Sequence, residues 1–293
     1  MKTGLFDGIS NAEYHSGTGI SKSGLDRISQ SPLHYWSEYL DPNRAPREET
    51  PAMKIGTAIH TAVLEPERFE AEYIVVPADA PRRPSSVQLN AKKPSDDTLA
   101  AIDWWQRFND RHAGCTIIDA QDFAVCRAIQ AQIMAHPSAR ALFKAGKAEQ
   151  SAFWQDAETG VLCKARPDWL MPGAIIDVKS TENASLAAFQ RSVATYRYHV
   201  QAAWYLDGLA QATGEAPQAF VFCCFEKKAP FAAAFYYADA DMIELGRREY
   251  RQALRLYADC LAADKWPGYA QEILPISLPV WVLNAANDNV KGE

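Results

Sequence analysis

Residues 165–181 read ARPDWLMPGAIIDVKST. Pro172-Gly173 is a turn signal between two short apolar runs, so the stretch reads as two strands across a tight turn. Side chains alternate along a strand, so Asp177 and Lys179 share a face while Val178 points into the core. Antiparallel pairing across the turn brings Asp168, at the end of the first run, close to Asp177. Adjacent carboxylates repel and raise each other's pKa, and a hard divalent cation removes that conflict. Magnesium prefers carboxylate and carbonyl oxygens, and the Val178 carbonyl is placed to be one of its ligands. The Lys179 ammonium is then positioned to orient an attacking water and stabilise the hydroxide formed from it. The ion would make that water more acidic and offset charge on a scissile phosphate. AIID also sets a carboxylate directly after an apolar run, where an unpaired charge is costly.

Working outward, QSAFWQ (150–155), VLCKARPDWLM (161–171) and AIIDVKS (174–180) read as three short strands, with a hairpin-like connection at 156–160. A long helix fits 184–212. AFVFCCFEK (219–227) and FAAAFYYAD (231–239) read as two more strands, and an amphipathic helix covers about 239–263. Upstream, residues 21–40 form a helix capped by Ser21 or Ser23, with Leu25, Ile28 and Tyr35 inward and a break at Pro32. A polar loop spans 41–52, and a helix runs from Met53 to Leu64. Residues 77–98 carry Pro77, Pro81, Pro84 and Pro94 with Arg82, Arg83, Lys92 and Lys93, and read as a long surface loop. Helices follow over about 96–112 and 120–145. Strands flanked by helices make an α/β fold. The expected organisation is one domain over 1–284, with an N-terminal helical portion (about 1–148), a core (about 149–284) and a flexible tail at 285–293.

The net charge of −6 and pI near 5.6 count against an extended nucleic-acid surface, but a local basic face and a bound cation are compatible with them. None of the six cysteines forms a CxxC pair, so a zinc ribbon is not expected and the thiols read as buried and reduced. No apolar run suits a membrane helix or a signal peptide, so the expected location is the cytoplasm.

Three further groups stand out. Gly56 and His60, in GTAIH, lie one helical turn apart on one face. A helical glycine costs about 1 kcal/mol relative to alanine unless a close approach requires it. Glu149, just before the first core strand, is a candidate ligand or general base, with Gln150 as the alternative. Gln201 and Tyr205, in QAAWY, share a face of the long helix and could hold a water or a phosphate.

Together these residues resemble the RecE (exonuclease VIII) branch of the PD-(D/E)XK nucleases. The matching elements come in chain order: ISKSGLDRISQSPLHYW (20–36), GTAIH, a glutamate before a strand, RPD, DVKS and QAAWY. The resemblance implies a restriction-endonuclease-like core, a mixed central sheet flanked by helices. It implies a metal shell of His60, Asp168, Asp177 and the Val178 carbonyl, with Glu149 a further member. Lys179 becomes the catalytic lysine, and Gln201 and Tyr205 the helix motif near the phosphate. Mg2+ is the implied ion, with Mn2+ able to substitute. The middle carboxylate is Asp where many relatives use Glu. Some relatives carry an iron–sulfur cluster with a cysteine before a proline near the N-terminal helix; Ser31-Pro32 stands at that place, so no cluster is expected.

The implied activity is digestion of linear double-stranded DNA from the 5′ end, leaving a 3′ single strand. A ring-shaped homo-oligomer of phage origin, working beside a RecT-like strand-annealing protein, completes the picture. A structure-specific or restriction-like endonuclease, or a catalytically silent DNA-binding protein, would use the same core.

Overall fold

The computed structural model describes residues 2–45, 50–278 and 280. The tail expected at 285–293 lies outside them, as do residues 46–49 of the expected polar loop.

The chain begins with β1 (Gly4–Phe6), α1 (Asn11–Ser16), α2 (Lys22–Gln30) and α3 (Pro32–Tyr35), followed by a π-helical turn at Trp36–Leu40. Ser10, Ser21 and Ser31 cap the three helices, each accepting a backbone N–H of the first turn. Ser21 rather than Ser23 is thus the cap of α2. Pro32 takes the first position of α3, where its missing N–H costs nothing, so the break falls where the sequence placed it. Leu25, Ile28 and Tyr35 are buried as expected.

α4 (Pro51–Leu64) starts two residues before the expected Met53 because Thr50 caps it and Pro51 is its first residue. Then come α5 (Pro66–Glu72), β2 (Tyr73–Val75), α6 (Ser86–Leu89), α7 (Asp96–Arg111), β3 (Thr116–Ile118), α8 (Ala120–Ala135) and α9 (Pro137–Leu142). The single helix expected over 120–145 is therefore two. Pro137 has no N–H to continue α8 and instead starts α9.

The second half holds β4 (Lys147–Ala148), β5 (Ser151–Gln155), β6 (Leu162–Ala165), β7 (Trp169–Met171), β8 (Ala174–Thr181), α10 (Leu186–Thr195), α11 (Tyr198–Thr213), β9 (Ala219–Glu226), β10 (Ala233–Tyr237) and α12 (Ala240–Ala263). Two expectations are corrected here. Residues 161–171 are not one strand: Pro167 interrupts the ladder, and the chain passes from one sheet to another at Arg166-Pro167-Asp168. Nor is 184–212 one helix. It breaks at Tyr196-Arg197, where Arg197 takes a left-handed φ of 53°. The Arg197 guanidinium is tied there to Asp26 and Glu249, each at 3.0 Å. No glycine or proline marks this break in the sequence.

The main sheet has the order β10-β9-β8-β7-β4. β8 and β9 run parallel, with Asp177 beside Phe222; the other pairs are antiparallel. A parallel pair needs a long crossover, here α10 and α11. Helices cover both faces. Ile175, Phe220, Phe222 and Trp204 belong to one apolar cluster. Ile176, Val178, Cys223 and Phe225 join Ala58, Ile59, Ile129 and Ile133 in the other. This double burial explains why β8 and β9 read as continuous apolar runs. A second sheet, β1-β5-β6, takes its edge strand from the very start of the chain, with Gly4 beside Phe153. The N-terminal portion is thus built into the strands of the second half.

The crossover helix α11 packs tightly. A Cβ on Gly246 of α12 would lie 2.1 Å from the His199 carbonyl oxygen, and one on Gly208 2.3 Å from the Trp154 ring. Cys126, Cys163, Cys223, Cys224 and Cys260 are buried free thiols, as expected, whereas Cys115 is half-buried. Among the described residues, no helix is long and apolar enough to cross a membrane.

Candidate active site

The sheet-to-sheet crossing fixes Asp168. Trp169 pairs with Ile176, so one step further along the register Asp168 faces Asp177. The Asp168 carboxylate accepts the Val178 N–H at 2.7 Å. A strand residue's N–H and C=O leave on the same side. The Val178 carbonyl therefore faces the edge that Asp168 occupies, beyond the end of β7.

Glu149 arrives at the same edge. It adopts a left-handed φ of 52°, and its N–H donates to the Asp168 carbonyl at 3.1 Å. Such a conformation is unusual for a side chain with a Cβ and is often found at functional positions. Gln150, the alternative candidate, is buried and turned away, donating to Asp7. His60 reaches across from α4 and sets Nδ1 3.7 Å from Asp168 Oδ2. One ligand atom from each of His60, Glu149 and Asp168 lies within 4.8 Å of the other two. An imidazole nitrogen and two carboxylates form a donor set suited to a divalent first-row cation.

Burial, followed by the neighbouring Asp168 charge, pushes the Glu149 carboxyl up to about 7, against the opposing pull of Arg166. The folded protein therefore holds this proton more tightly than the unfolded chain. Between the ordinary value of 4.5 and about 7, this preference for folding is lost as pH rises. A bound cation needs the carboxylate and competes with the proton. The expected result is a rise in Tm on adding Mg2+ or Mn2+ that is smaller at about pH 5.5 than at about pH 8. Glu149→Gln should flatten that pH dependence in a thermal-shift titration. An equal rise at both pH values in the unaltered protein would remove Glu149 from the ion's shell.

Asp177 is differently engaged. It is fully buried, and its Oδ1 accepts from Gln201 Nε2 at 2.7 Å. Its Oδ2 lies 2.6 Å from Lys179 Nζ. That contact is a close, buried ion pair. Burial pushes this carboxyl up, Lys179 opposes the rise and Asp168 adds to it. Burial works against the Lys179 charge, but Asp177 and Asp168 outweigh it and push its pKa up to about 12. Lys179 Nζ also sits 4.9 Å from the centre of the Tyr198 ring. Tyr205, one turn beyond Gln201, lines the same cleft, and burial raises its phenol well above the ordinary value.

The cleft holds about 300 Å³ and is walled by Glu149, Arg166, Asp168, Gln201 and Tyr205 on one side and by α1 and α2 on the other. The sequence reading gave no role to Arg166, Tyr14 or Lys22, all of which face it. Arg166 is buried; its guanidinium donates to Ser151 Oγ and the Ile9 carbonyl, covers the Tyr14 ring at 4.4 Å and lies 3.8 Å from Glu149. Lys164 donates to the carbonyls of Tyr14 and Gly17 at 2.7 and 2.6 Å. A signal for both basic residues was present: residues two apart in extended chain share a side, so Lys164, Arg166 and Asp168 point one way.

Gly56 departs from expectation. A Cβ there would meet nothing within 4 Å, so no contact within the described chain requires the glycine. Gly56→Ala should stabilise the protein by up to about 1 kcal/mol in urea unfolding.

Residues 21–276 match the PDDEXK-like domain of unknown function (DUF3799). No curated protein sequence matches the chain. A crystal structure from Eubacterium rectale, provisionally assigned as an exonuclease, superposes with a TM-score of 0.58 at 14% identity, covering 95% of this chain and 98% of that one. An alkaline exonuclease from Laribacter hongkongensis aligns at 16% identity with a TM-score of 0.27, over 71% of this chain and 96% of its own. With a mixed sheet flanked by helices and a family match over most of its length, the chain belongs to the PDDEXK-like family DUF3799.

Proposed function

We propose that this protein is a divalent-metal-dependent exodeoxyribonuclease that hydrolyses linear double-stranded DNA from the 5′ end and leaves a 3′ single strand for recombination by annealing. The observation that carries the reading is one cleft edge where His60, Glu149 and Asp168 offer ligand atoms beside the Asp177–Lys179 ion pair.

In this reading His60, Glu149 and Asp168 hold the ion, with the Val178 carbonyl and Asp177 as further candidate ligands. When bound, the ion supplies positive charge that offsets charge building on the phosphate and makes a water more acidic. The imidazole suits Mn2+ at least as well as Mg2+, which prefers oxygen donors. Lys179, held protonated by Asp177 and Asp168, is not a proton acceptor at neutral pH. Its role is to donate a hydrogen bond that orients the attacking water and stabilises the developing hydroxide. Gln201 locks the Asp177 carboxylate that aims Lys179. Tyr205, kept neutral, offers a hydroxyl donor to a phosphate oxygen.

Linear duplexes labelled at the 5′ or 3′ end, with and without Mg2+ or Mn2+, test this directly. Release of the 5′ label first, only with metal, supports it. Cutting of relaxed circles as fast as linear ends would make the protein an endonuclease. By the same reading, the DNA end threads a ring of identical subunits and the product passes to a RecT-like annealing protein. Sedimentation and co-purification test those two parts.

A further inference from the structure

The segment 81–94 reads PRRPSSVQLNAKKP. It carries a formal charge of +4 (two Arg, two Lys, no Asp or Glu), in a chain whose net charge is −6. Arg82, Arg83, Lys92 and Lys93 are all exposed, and none pairs with a described acidic residue. Several other surface cations are paired with acidic residues. Arg27 pairs with Glu38, Arg127 with Glu70, Lys227 with Glu182, and Arg247 with Asp207. Four like charges within one short segment and without counter-charge raise the local positive potential, which an external anion would offset.

The segment is nonetheless fastened to the fold. The Trp105 indole of α7 donates to the Pro81 carbonyl at 3.0 Å, and the Arg83 guanidinium lies 4.1 Å above the same ring. Ser85 and Gln88 close a capping box that starts α6. Gln88 Oε1 accepts from the Ser85 N–H and hydroxyl, and Asn90 Nδ2 donates to the Ser86 carbonyl. One group of each amide is thus engaged locally, while the four charges remain open to solvent. The chain runs back from here through β2 and α5 to α4, which carries His60.

We infer that residues 81–94 grip the phosphate backbone of the nucleic acid that the site cuts, by charge and without reading sequence. This rests on the nuclease reading above. Phosphate contact is electrostatic and displaces condensed counterions, so its signature is a dependence of affinity on salt.

The test is binding of a fluorescent linear duplex by anisotropy across a salt series, in buffer without divalent metal so that no hydrolysis is needed. The variant carries Arg82→Gln, Arg83→Gln, Lys92→Gln and Lys93→Gln. Its slope of log affinity against log salt should be smaller by about 3 to 4, at roughly 0.9 per lost contact. The loss should be the same on unrelated duplex sequences. A second variant that keeps Arg83, and with it the contact to Trp105, should show about three quarters of that change. Lys227→Gln with Lys228→Gln, cations already paired with Glu182, should leave the slope unaltered. An unchanged slope in both arm variants overturns the inference, even if the unaltered protein cuts DNA. So does weakened binding to polyglutamate with DNA binding intact, which would assign the surface to an acidic protein. A protein that binds DNA with the predicted slope but cuts nothing with metal would keep this inference and sink the nuclease reading.

Discussion

Asp168→Asn should lower metal-dependent DNA hydrolysis by about a thousandfold while leaving the fold intact. Asparagine keeps the shape of the side chain and an oxygen able to accept the Val178 N–H, now at 2.7 Å. What it removes is the charge that, with Glu149 and His60, makes the cluster a cation site. The same change relieves repulsion on Glu149 and Asp177, both of whose carboxyls Asp168 pushes up. In metal-free buffer the variant should therefore melt at or above the temperature of the unaltered protein, and the extra stability gained on adding Mn2+ should vanish. Loss of activity with a lower Tm would mean ordinary misfolding. Full activity would show that the site has been misplaced.

Gly246→Ala should cost about 3 kcal/mol or more of stability, the upper end of overpacking. The added methyl would lie 2.1 Å from the His199 carbonyl oxygen and 2.6 Å from its carbon. Both are backbone atoms near the start of α11 and cannot swing aside as a side chain can. Relief requires α11 and α12 to part. Gln201 lies two residues beyond His199, so the Asp177–Gln201 contact should loosen as well. Urea unfolding should show the fall, and activity should drop even at temperatures where the variant stays folded. A loss below about 0.5 kcal/mol would mean that the two helices are not packed this closely. The Gly56→Ala change is the counter-case, identical in chemistry and opposite in expected sign.

The contrast between these glycines shows what the sequence could reveal. Periodicity and turn residues were enough for the α/β class, for the turn at Pro172-Gly173 and for the facing of Asp168 and Asp177. Those features are local, and each is set by a few neighbouring residues. The break at Arg197 was not legible, because it depends on Asp26 and Glu249, distant in sequence. The importance of Gly246 was hidden for the same reason. The division at Arg166-Pro167-Asp168 was legible in principle, since proline cannot donate to a ladder, but the apolar run on either side masked it. In the site, the resemblance grouped His60, Asp168, Asp177 and the Val178 carbonyl as one metal shell, with Glu149 a further member. The folded chain clusters His60, Glu149 and Asp168, and Asp177 contacts Lys179 and Gln201. Alternation along a strand gives the face of a side chain but not which of several neighbours claims it.

The parallel pairing of β8 with β9 has a consequence for the newly made polypeptide. Asp177 and Lys179 sit on a strand whose partner, β9, ends at Glu226, and the Gln201 that fixes Asp177 lies on the crossover between them. During translation β8 leaves the ribosome well before its partner exists, and non-local pairing cannot form until both are present. The chemical centre thus stays unassembled until most of the chain has emerged. The order of the strands alone thus keeps the site unassembled through most of the chain's own synthesis.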